Sequence, residues 1–454
     1  MKGKETMKET EIEMISIARK LRRRDFKGNT GTAIRNSGYQ FATTIIAKVG
    51  SLLFTIIMAR LLMPELYGLY GLALSTILFL SLFSDFGIET AISTYVSKTI
   101  DKRPGKAKGY FFYLAKFKII LILGSSLLIL LMANFFANYY YEKPIFWALI
   151  AGSIYFPLMY LSRFLGLIFV AKNNFRVYLI GEILLQTSRL VILPLLIFYL
   201  LSLSFGFEAF LFWIFIGLSI CFAIIGIFYL LYYLLYNPFG KAKKETLSSA
   251  EKKDIGYFIL PLTVTAFSGL FFGSIDTIML GHYVASEFIG FYQVAFNLIS
   301  SAAVIVGFSA VAMLPIFSRL EGKKLDEGFR KTRNITFLIS CLAMLFTIIF
   351  APLLIRIIYG GVYMPSLLYL RIFSLLLLSF PLSGLYQTYY TSQKRTKPFS
   401  ILLVVSTIIN IILNFVFINI GLMYGMEEAV FGACLATIIS RYGYLVGLVL
   451  WRRR

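Results

Sequence analysis

The chain has 454 residues, 59% of them hydrophobic and 15% charged, and a formal net charge of +22. Soluble domains run near half apolar and a quarter charged, and no polar stretch here is long enough to fold separately in water, so composition excludes a soluble globular protein. Apolar runs of about 18 residues or more, enough to cross a bilayer, recur along the whole length.

Taken in order, the first 38 residues form a basic arm. Within it, EIEMISIARKLRRR (Glu11–Arg24) puts Met14, Ile17 and Leu21 on one helical face among basic residues. That pattern predicts an interfacial helix, with a disordered basic tail as the alternative. The first apolar run starts near Tyr39 behind this arm, so no cleavable signal peptide is expected. Twelve spans follow, roughly 39–59, 69–87, 110–136, 145–170, 177–201, 209–236, 255–280, 289–318, 334–355, 366–390, 400–420 and 428–450. The predicted architecture is all-α and integral to the membrane. It has a first six-helix bundle at 39–236, a cytoplasmic linker at 237–254, a second bundle at 255–450 and a basic tail at 451–454.

Lysine and arginine set the orientation. The arm carries 10, alternate loops 88–109, 171–176, 237–254, 319–333 and 391–399 carry 5, 2, 5, 6 and 3, and the tail carries 3, which sums to 34 on one side. The opposite loops hold Arg60, Lys143 and Arg356, which is 3. Both termini are therefore expected in the cytoplasm. The positive charge marks topology and contact with anionic headgroups and does not indicate nucleic-acid binding.

Two loops share a skeleton. ARLLMPELYGLYGLA (Ala59–Ala73) and GHYVASEFIGFYQVA (Gly281–Ala295) align at an offset of 222, and Thr43–Ile77 against Thr265–Ile299 gives eight identities in 35 positions. The offset maps spans 1 to 6 onto spans 7 to 12. Six spans per half is even, so both halves share one orientation, and such parallel repeats place a substrate site between them near the midplane. Gly68 and Gly290 would allow close helix approach, Pro64 and Glu65 suit a helix start, and Tyr70 and Tyr292 suit an interface belt.

Seven basic residues fall inside spans: Lys48, Lys116, Lys118, Arg163, Arg189, Arg371 and Arg441. Lys116, Lys118 and Arg371 lie near span ends and read as snorkelling anchors. Charge deeper in the bilayer needs a cavity or a partner. In span 1, Gln40, Thr44, Lys48, Ser51 and Thr55 form a polar stripe. Span 5 has Glu182, Gln186 and Arg189 on one face, span 8 has Gln293, Asn297 and Ser300, and span 11 has Thr407, Asn410 and Asn414. Polar stripes in lipid face the bundle interior. One reading is a wet, basic cavity for an anionic, hydroxyl-rich ligand, with Lys48 and Arg189 foremost and Arg163 and Arg441 nearer the cytoplasm. The other is polar adhesion between helices, with Glu182 neutralising Arg189. Asp85, Glu182 and Asp276 are candidates for Na⁺ or H⁺ coupling, for salt bridges or for helix caps. Cys221, Cys341 and Cys434 lie in apolar runs without metal-ligand spacing, and His282 lies in a loop without co-ligands. No phosphate loop, dinucleotide turn, paired-carboxylate or Cys/His constellation occurs, so neither an enzyme, a metal nor a cofactor is expected.

The stretch FTIIMARLLMPELYGLYGLALS resembles the first-loop signature of prokaryotic polysaccharide exporters and lipid-linked oligosaccharide flippases. PLLIRIIYGGVYMPSLLYLRIFSLLLL (Pro352–Leu378), SQKRTKPFSILLVVSTIINIILNFVFI (Ser392–Ile418) and GACLATIISRYGY (Gly432–Tyr444) are similar to later segments of that family. The match covers nearly the whole chain after residue 28. The family belongs to a superfamily that includes multidrug and toxic-compound exporters and peptidoglycan-precursor flippases. The resemblance implies two six-helix bundles in a V around a basic central cavity, in the cell membrane. It implies that Arg60 and Arg371 occupy commonly basic sites, with Lys48 and Arg189 lining the cavity. Membrane lipids, a polyprenyl-linked glycan, Na⁺ or H⁺ and glycan-assembly proteins are the implied partners. A span-1 Arg-Asp pair associated with peptidoglycan-precursor flippases is not evident. The competing readings are an ion-coupled multidrug exporter, which predicts an acidic cavity, and a non-transporting scaffold in glycan assembly, which predicts indifference to charge at Lys48 and Arg189.

Overall fold

The computed structural model describes residues 28–203, 205–313, 317, 320–393, 395 and 397–453. The predicted interfacial helix at Glu11–Arg24 lies outside them. The described residues are helical with connecting turns and contain no strand. The helices are α1 (Gly28–Leu80), α2 (Pro104–Asn134), α3 (Phe146–Ala171), α4 (Phe175–Ser202), α5 (Phe207–Leu235), α6 (Ser249–Tyr283), α7 (Ser286–Ala312), α8 (Gly322–Ile358), α9 (Leu367–Phe373), α10 (Leu376–Ser392), α11 (Lys397–Leu422) and α12 (Met426–Arg453).

Each expected span has its helix, with three departures. α1 has 53 residues. At 1.5 Å per residue it is roughly 80 Å long, too long for one crossing of a core about 30 Å thick. It holds spans 1 and 2, bent at Met63 (φ 61°, ψ 166°) where Pro64 restarts the helix. Span 2 then breaks at Asp85–Gly87, with Gly87 at φ +82°, and turns helical again over Ile88–Ala91 and Ser97–Thr99. The expected loop at 88–109 is therefore largely helical, with Ile88, Ala91, Ile92 and Val96 buried. Span 10 is also broken: Gly361–Phe373 and Leu376–Ser392 meet at 48°. At the break the buried Ser374 hydroxyl donates to the Arg371 carbonyl at 2.6 Å, a back-bond that bends helices.

The repeated motif has a direct structural meaning. A Cβ at Gly68 would stand 1.8 Å from the Ser286 carbonyl oxygen, and one at Gly290 would stand 2.2 Å from that of Pro64. Pro64 and Ser286 are themselves equivalent at the offset of 222. The two copies of the motif thus meet reciprocally, as in a two-fold contact, and only glycine fits at either centre. Tyr70 and Tyr292 are not interfacial: both are buried. They pack beside this contact because the motif forms a seam between halves rather than a rim facing headgroups.

Buried apolar side chains form three cores. The first, at the end away from the basic loops, merges both halves: Phe54, Ile145 and Phe215 share it with Leu280, Tyr363 and Phe373. At the basic-loop end the cores are separate. One holds Phe111, Phe169, Tyr229, Phe239 and Ile255. The other holds Phe317, Phe329, Tyr386 and Leu448. Hydrogen bonds follow the same division. Away from the basic loops, Tyr363 OH donates to the Ala59 carbonyl at 2.7 Å, Lys143 Nζ to the Gly281 carbonyl at 2.6 Å, and Asn297 Nδ2 to Tyr67 OH at 3.2 Å. At the basic-loop end the start of α6 is held by the first half, through Tyr95 OH to Asp254 at 2.7 Å and Lys106 to Glu251 at 2.7 Å. Farther along, α6 joins the second half through Asp276. The result is a V, closed at one end and parted at the other.

Candidate functional site

Span 5 presents Tyr178, Glu182, Gln186 and Arg189 at spacings of 4, 4 and 3, which is one helical face. That face, with Lys48 and Ser51 of span 1, Glu89 beyond the span-2 break, Ser162 and Arg163 of α3, and Tyr229 of α5, lines a cavity of about 380 Å³. Its size falls in the ordinary range for ligand pockets. Five sequence candidates, Lys48, Arg163, Glu182, Gln186 and Arg189, converge here. Every lining residue of this cavity belongs to the first half.

The charges in the cavity are not neutralised by one another. Among the described residues no ion pair joins Glu182 to Arg189. Glu182 instead accepts from Gln186 Nε2 at 2.7 Å. Arg189 lies 4.0 Å over the Phe54 ring. Gln186 is 5% exposed, yet among the described residues its Oε1 has no partner, nor has Arg189 Nε. Gly50 makes room for Gln186, because a Cβ there would meet Gln186 Oε1 at 2.7 Å. Buried polar atoms without partners are unfavourable, and here they border a cavity.

Lys48 also lines a second, apolar crevice of about 330 Å³ with Phe41, Ile45, Val49, Val304 and Ile305. This crevice lies between span 1 and α7 and does cross between halves. Lys48 is therefore the hinge point between a polar space and a greasy one.

Lys118 corrects the snorkelling expectation. It is 1% exposed and pairs with Asp85 at 2.9 Å and Glu89 at 3.1 Å, over the Tyr160 ring at 4.9 Å. The span-2 break turns both carboxylates inward, and Asp85 Oδ1 also accepts from the Glu89 amide at 3.3 Å. Asp85 is thus a salt-bridge partner and a cap. Glu89, which sequence reasoning placed in a loop, links this cluster to the cavity. Its one legible signal was the spacing of four from Asp85.

The other candidates lie elsewhere. Arg60 caps α8 by donating to the Ile358 carbonyl at 2.8 Å and to that of Ile357. Arg371 is exposed at the span-10 break. Asn297 is in the seam. Arg441 lines a separate cavity of about 400 Å³ in the second half, with Ser300, Gly384, Gln387 and Tyr444. Behind it, buried Asp276 accepts from Asn414 Nδ2 at 2.6 Å, Thr437 Oγ1 at 2.6 Å and Tyr292 OH at 2.8 Å. Asn410 Nδ2 donates to Ser440 Oγ at 3.2 Å, and the amide oxygens of Asn410 and Asn414 are buried without partners among the described residues. Among the described residues no group of three or more His, Cys, Asp or Glu side chains could hold a metal ion.

Residues 33–321 match the family model described as polysaccharide biosynthesis protein, and residues 261–416 match the MatE family model. No curated protein sequence matches the chain. Among solved structures, the lipid II flippase MurJ in an inward closed conformation has a TM-score of 0.68 at 17% identity, covering 93% of this chain and 88% of that one. A multidrug resistance MATE family transporter in its inward-facing conformation scores 0.67 at 15% identity, covering 90% and 96%. An outward-facing conformation of such a transporter scores 0.58 at 16% identity, covering 94% and 96%. The chain has the fold of the MOP superfamily transporters.

Proposed function

The chain belongs to the polysaccharide biosynthesis protein family, and on that premise we propose that it is a flippase for a polyprenyl-(di)phosphate-linked oligosaccharide. It moves this lipid from the cytoplasmic to the outer leaflet of the cell membrane, for surface polysaccharide or glycoprotein synthesis, and changes no covalent bond. The loop charges put both termini in the cytoplasm, so the V opens to the cytoplasm, where such a lipid would load. One observation carries the reading: Lys48 stands where a charged polar cavity meets an apolar crevice. An amphiphile with a phosphate between sugar and hydrocarbon has that order of chemistry.

The physics suits the task. Burying a hydroxyl without a partner costs roughly 1–3 kcal/mol, so unaided flipping of several sugars is very slow. A polar cavity replaces the lost water while the tail remains in lipid. Outward movement of a phosphate anion is favoured by an inside-negative potential, by about 2.3 kcal/mol per charge per 100 mV. The test is flipping of a fluorescent polyprenyl-diphospho-oligosaccharide in proteoliposomes. Flipping under an imposed potential supports the reading; wild-type protein that flips none of it, while exporting a cationic dye down an ion gradient, overturns it.

The second reading, an ion-coupled multidrug exporter, draws on Asp276. With the Asn414 amide rotated, Asp276, Asn410, Asn414 and Thr437 would offer a hard cation several oxygen ligands. The mixed but net basic cavity counts against cationic drugs. Flipping that stops when Na⁺ and the pH gradient are both removed at clamped potential would make a coupling ion obligatory.

A further inference from the structure

The cavity in the first half holds two carboxylates, Glu89 and Glu182, beside its three cations. A site built only to grip an anion gains nothing from them. Like charges repel at this range, and each carboxylate weakens the field that draws a phosphate in. Their surroundings show what they lack. Glu89 accepts from Lys118 alone among the described residues, and Glu182 from Gln186 alone. A carboxylate has about four lone-pair sites and no donor, so both are left with accepting capacity on the cavity side. Gln186 Oε1 adds a third acceptor, without a partner among the described residues.

The donors and acceptors are also ordered in space. Along span 5 the cavity face runs Tyr178, Glu182, Gln186, Arg189, a rise of roughly 16 Å at 1.5 Å per residue. Arg189 sits at the deep end, and Glu182 and Tyr178 lie toward the parted end, where Glu89 and Arg163 face them across the space.

Resting on the flippase reading above, we infer that the transported glycan is electrically neutral and rich in hydroxyl donors, its charge confined to the phosphate linkage, and that Glu182 and Glu89 are the residues that select it. Neighbouring sugar hydroxyls donate to both oxygens of a carboxylate at once. A uronate or other acidic sugar at the same place meets two like charges and offers them no proton. Lys118 holds the Glu89 carboxylate from behind through their 3.1 Å ion pair, which makes it a positioning residue.

The experiment compares two fluorescent polyprenyl-diphospho-glycans of equal length, one with neutral hexoses and one with a uronic acid, in proteoliposomes containing wild type, Glu182→Gln or Glu89→Gln. Wild type is expected to flip the neutral glycan at least about tenfold faster, a floor that a single like charge as far as about 12 Å from a uronate already sets at an effective dielectric near 20. Glu182→Gln is expected to shrink that ratio by raising the rate for the acidic glycan and lowering that for the neutral one. The ratio is internal to each preparation, so partial loss of folded protein does not alter it. A wild type that prefers the acidic glycan, or a ratio unmoved by both substitutions, overturns the inference while leaving the flippase reading intact. A wild type that flips neither lipid removes the flippase reading and this inference with it. A glycan carrying an amino group is the third arm: if it outruns the neutral one by the same factor, the selected donor is an ammonium and the neutral assignment is overturned.

Discussion

The two halves share a backbone plan and differ in chemistry. At the offset of 222 that relates them, Lys48, Glu89, Arg163, Glu182, Gln186 and Arg189 correspond to Leu270, Val311, Leu385, Val404, Ile408 and Ile411. Conversely, Asp276 of the second half corresponds to Phe54 of the first, the ring beneath Arg189. One half therefore carries a cavity ringed by charge. The other carries a buried carboxylate held by three donors, and a less polar cavity with Arg441 in its wall. Duplication supplies two lobes that meet at a seam; divergence lets each lobe hold a different chemistry.

The largest effect should come from removing the charge of the first half. Arg189→Ala and Lys48→Ala each remove a cation from the proposed phosphate site; with a charge-assisted contact worth about 1.5–3 kcal/mol, flipping in proteoliposomes should fall about 10- to 100-fold. Arg441→Ala should fall less, and an equal fall would erase the distinction between halves.

Next comes the seam they share. Gly68→Ala and Gly290→Ala place a methyl against backbone on the opposite copy, and overpacking of this kind costs about 1–3 kcal/mol. The two should lower the melting temperature in detergent alike, since the contact is reciprocal. Gly384→Ala, which meets nothing within 4 Å, is the control and should not lower it.

Lys118→Met should destabilise by about 1–3 kcal/mol by leaving Asp85 and Glu89 without their cation; both are about a third exposed, which keeps the loss below that of a fully buried pair. Thermal unfolding measures it, and Asp85→Asn in the same background should recover part of the loss.

The smallest effect concerns the linker. Glu251 has its carboxyl pulled down to about 2, first by the Lys106 hydrogen bond and then by the Ser248 backbone amide and hydroxyl. A depressed carboxylate adds stability that is present above its ordinary value near 4.5 and lost as pH falls toward 2. Amides at the start of α6 should therefore keep their protection from hydrogen exchange down to about pH 4, and lose it in Glu251→Gln at neutral pH.

Much of this was legible in sequence because bilayer physics is coarse. Span lengths, loop charge and the polar stripes of spans 1 and 5 follow from what lipid forbids. The repeat in Ala59–Ala73 and Gly281–Ala295 pointed to the two segments that meet reciprocally at Gly68 and Gly290. What escaped depends on tertiary geometry. Lys118 sits near a span end, where anchoring and burial look identical until the break at Asp85–Gly87 brings two carboxylates to it. Tyr70 and Tyr292 have the composition of a belt but the position of a core. The resemblance implies a commonly basic site at Arg60, yet its partners are the last carbonyls of α8. The placement of the cavity within one half was hidden because the offset that aligns the motif says nothing about which copy kept its charge.

The most direct measurement is an experimental structure of the protein in lipid nanodiscs with a polyprenyl-diphospho-oligosaccharide bound. The account predicts phosphate density at Lys48, sugar density along Glu182, Gln186 and Arg189, and hydrocarbon in the crevice beside Val304 and Ile305. Sugar density in the second-half cavity at Arg441, with the first-half cavity holding only water, would contradict it.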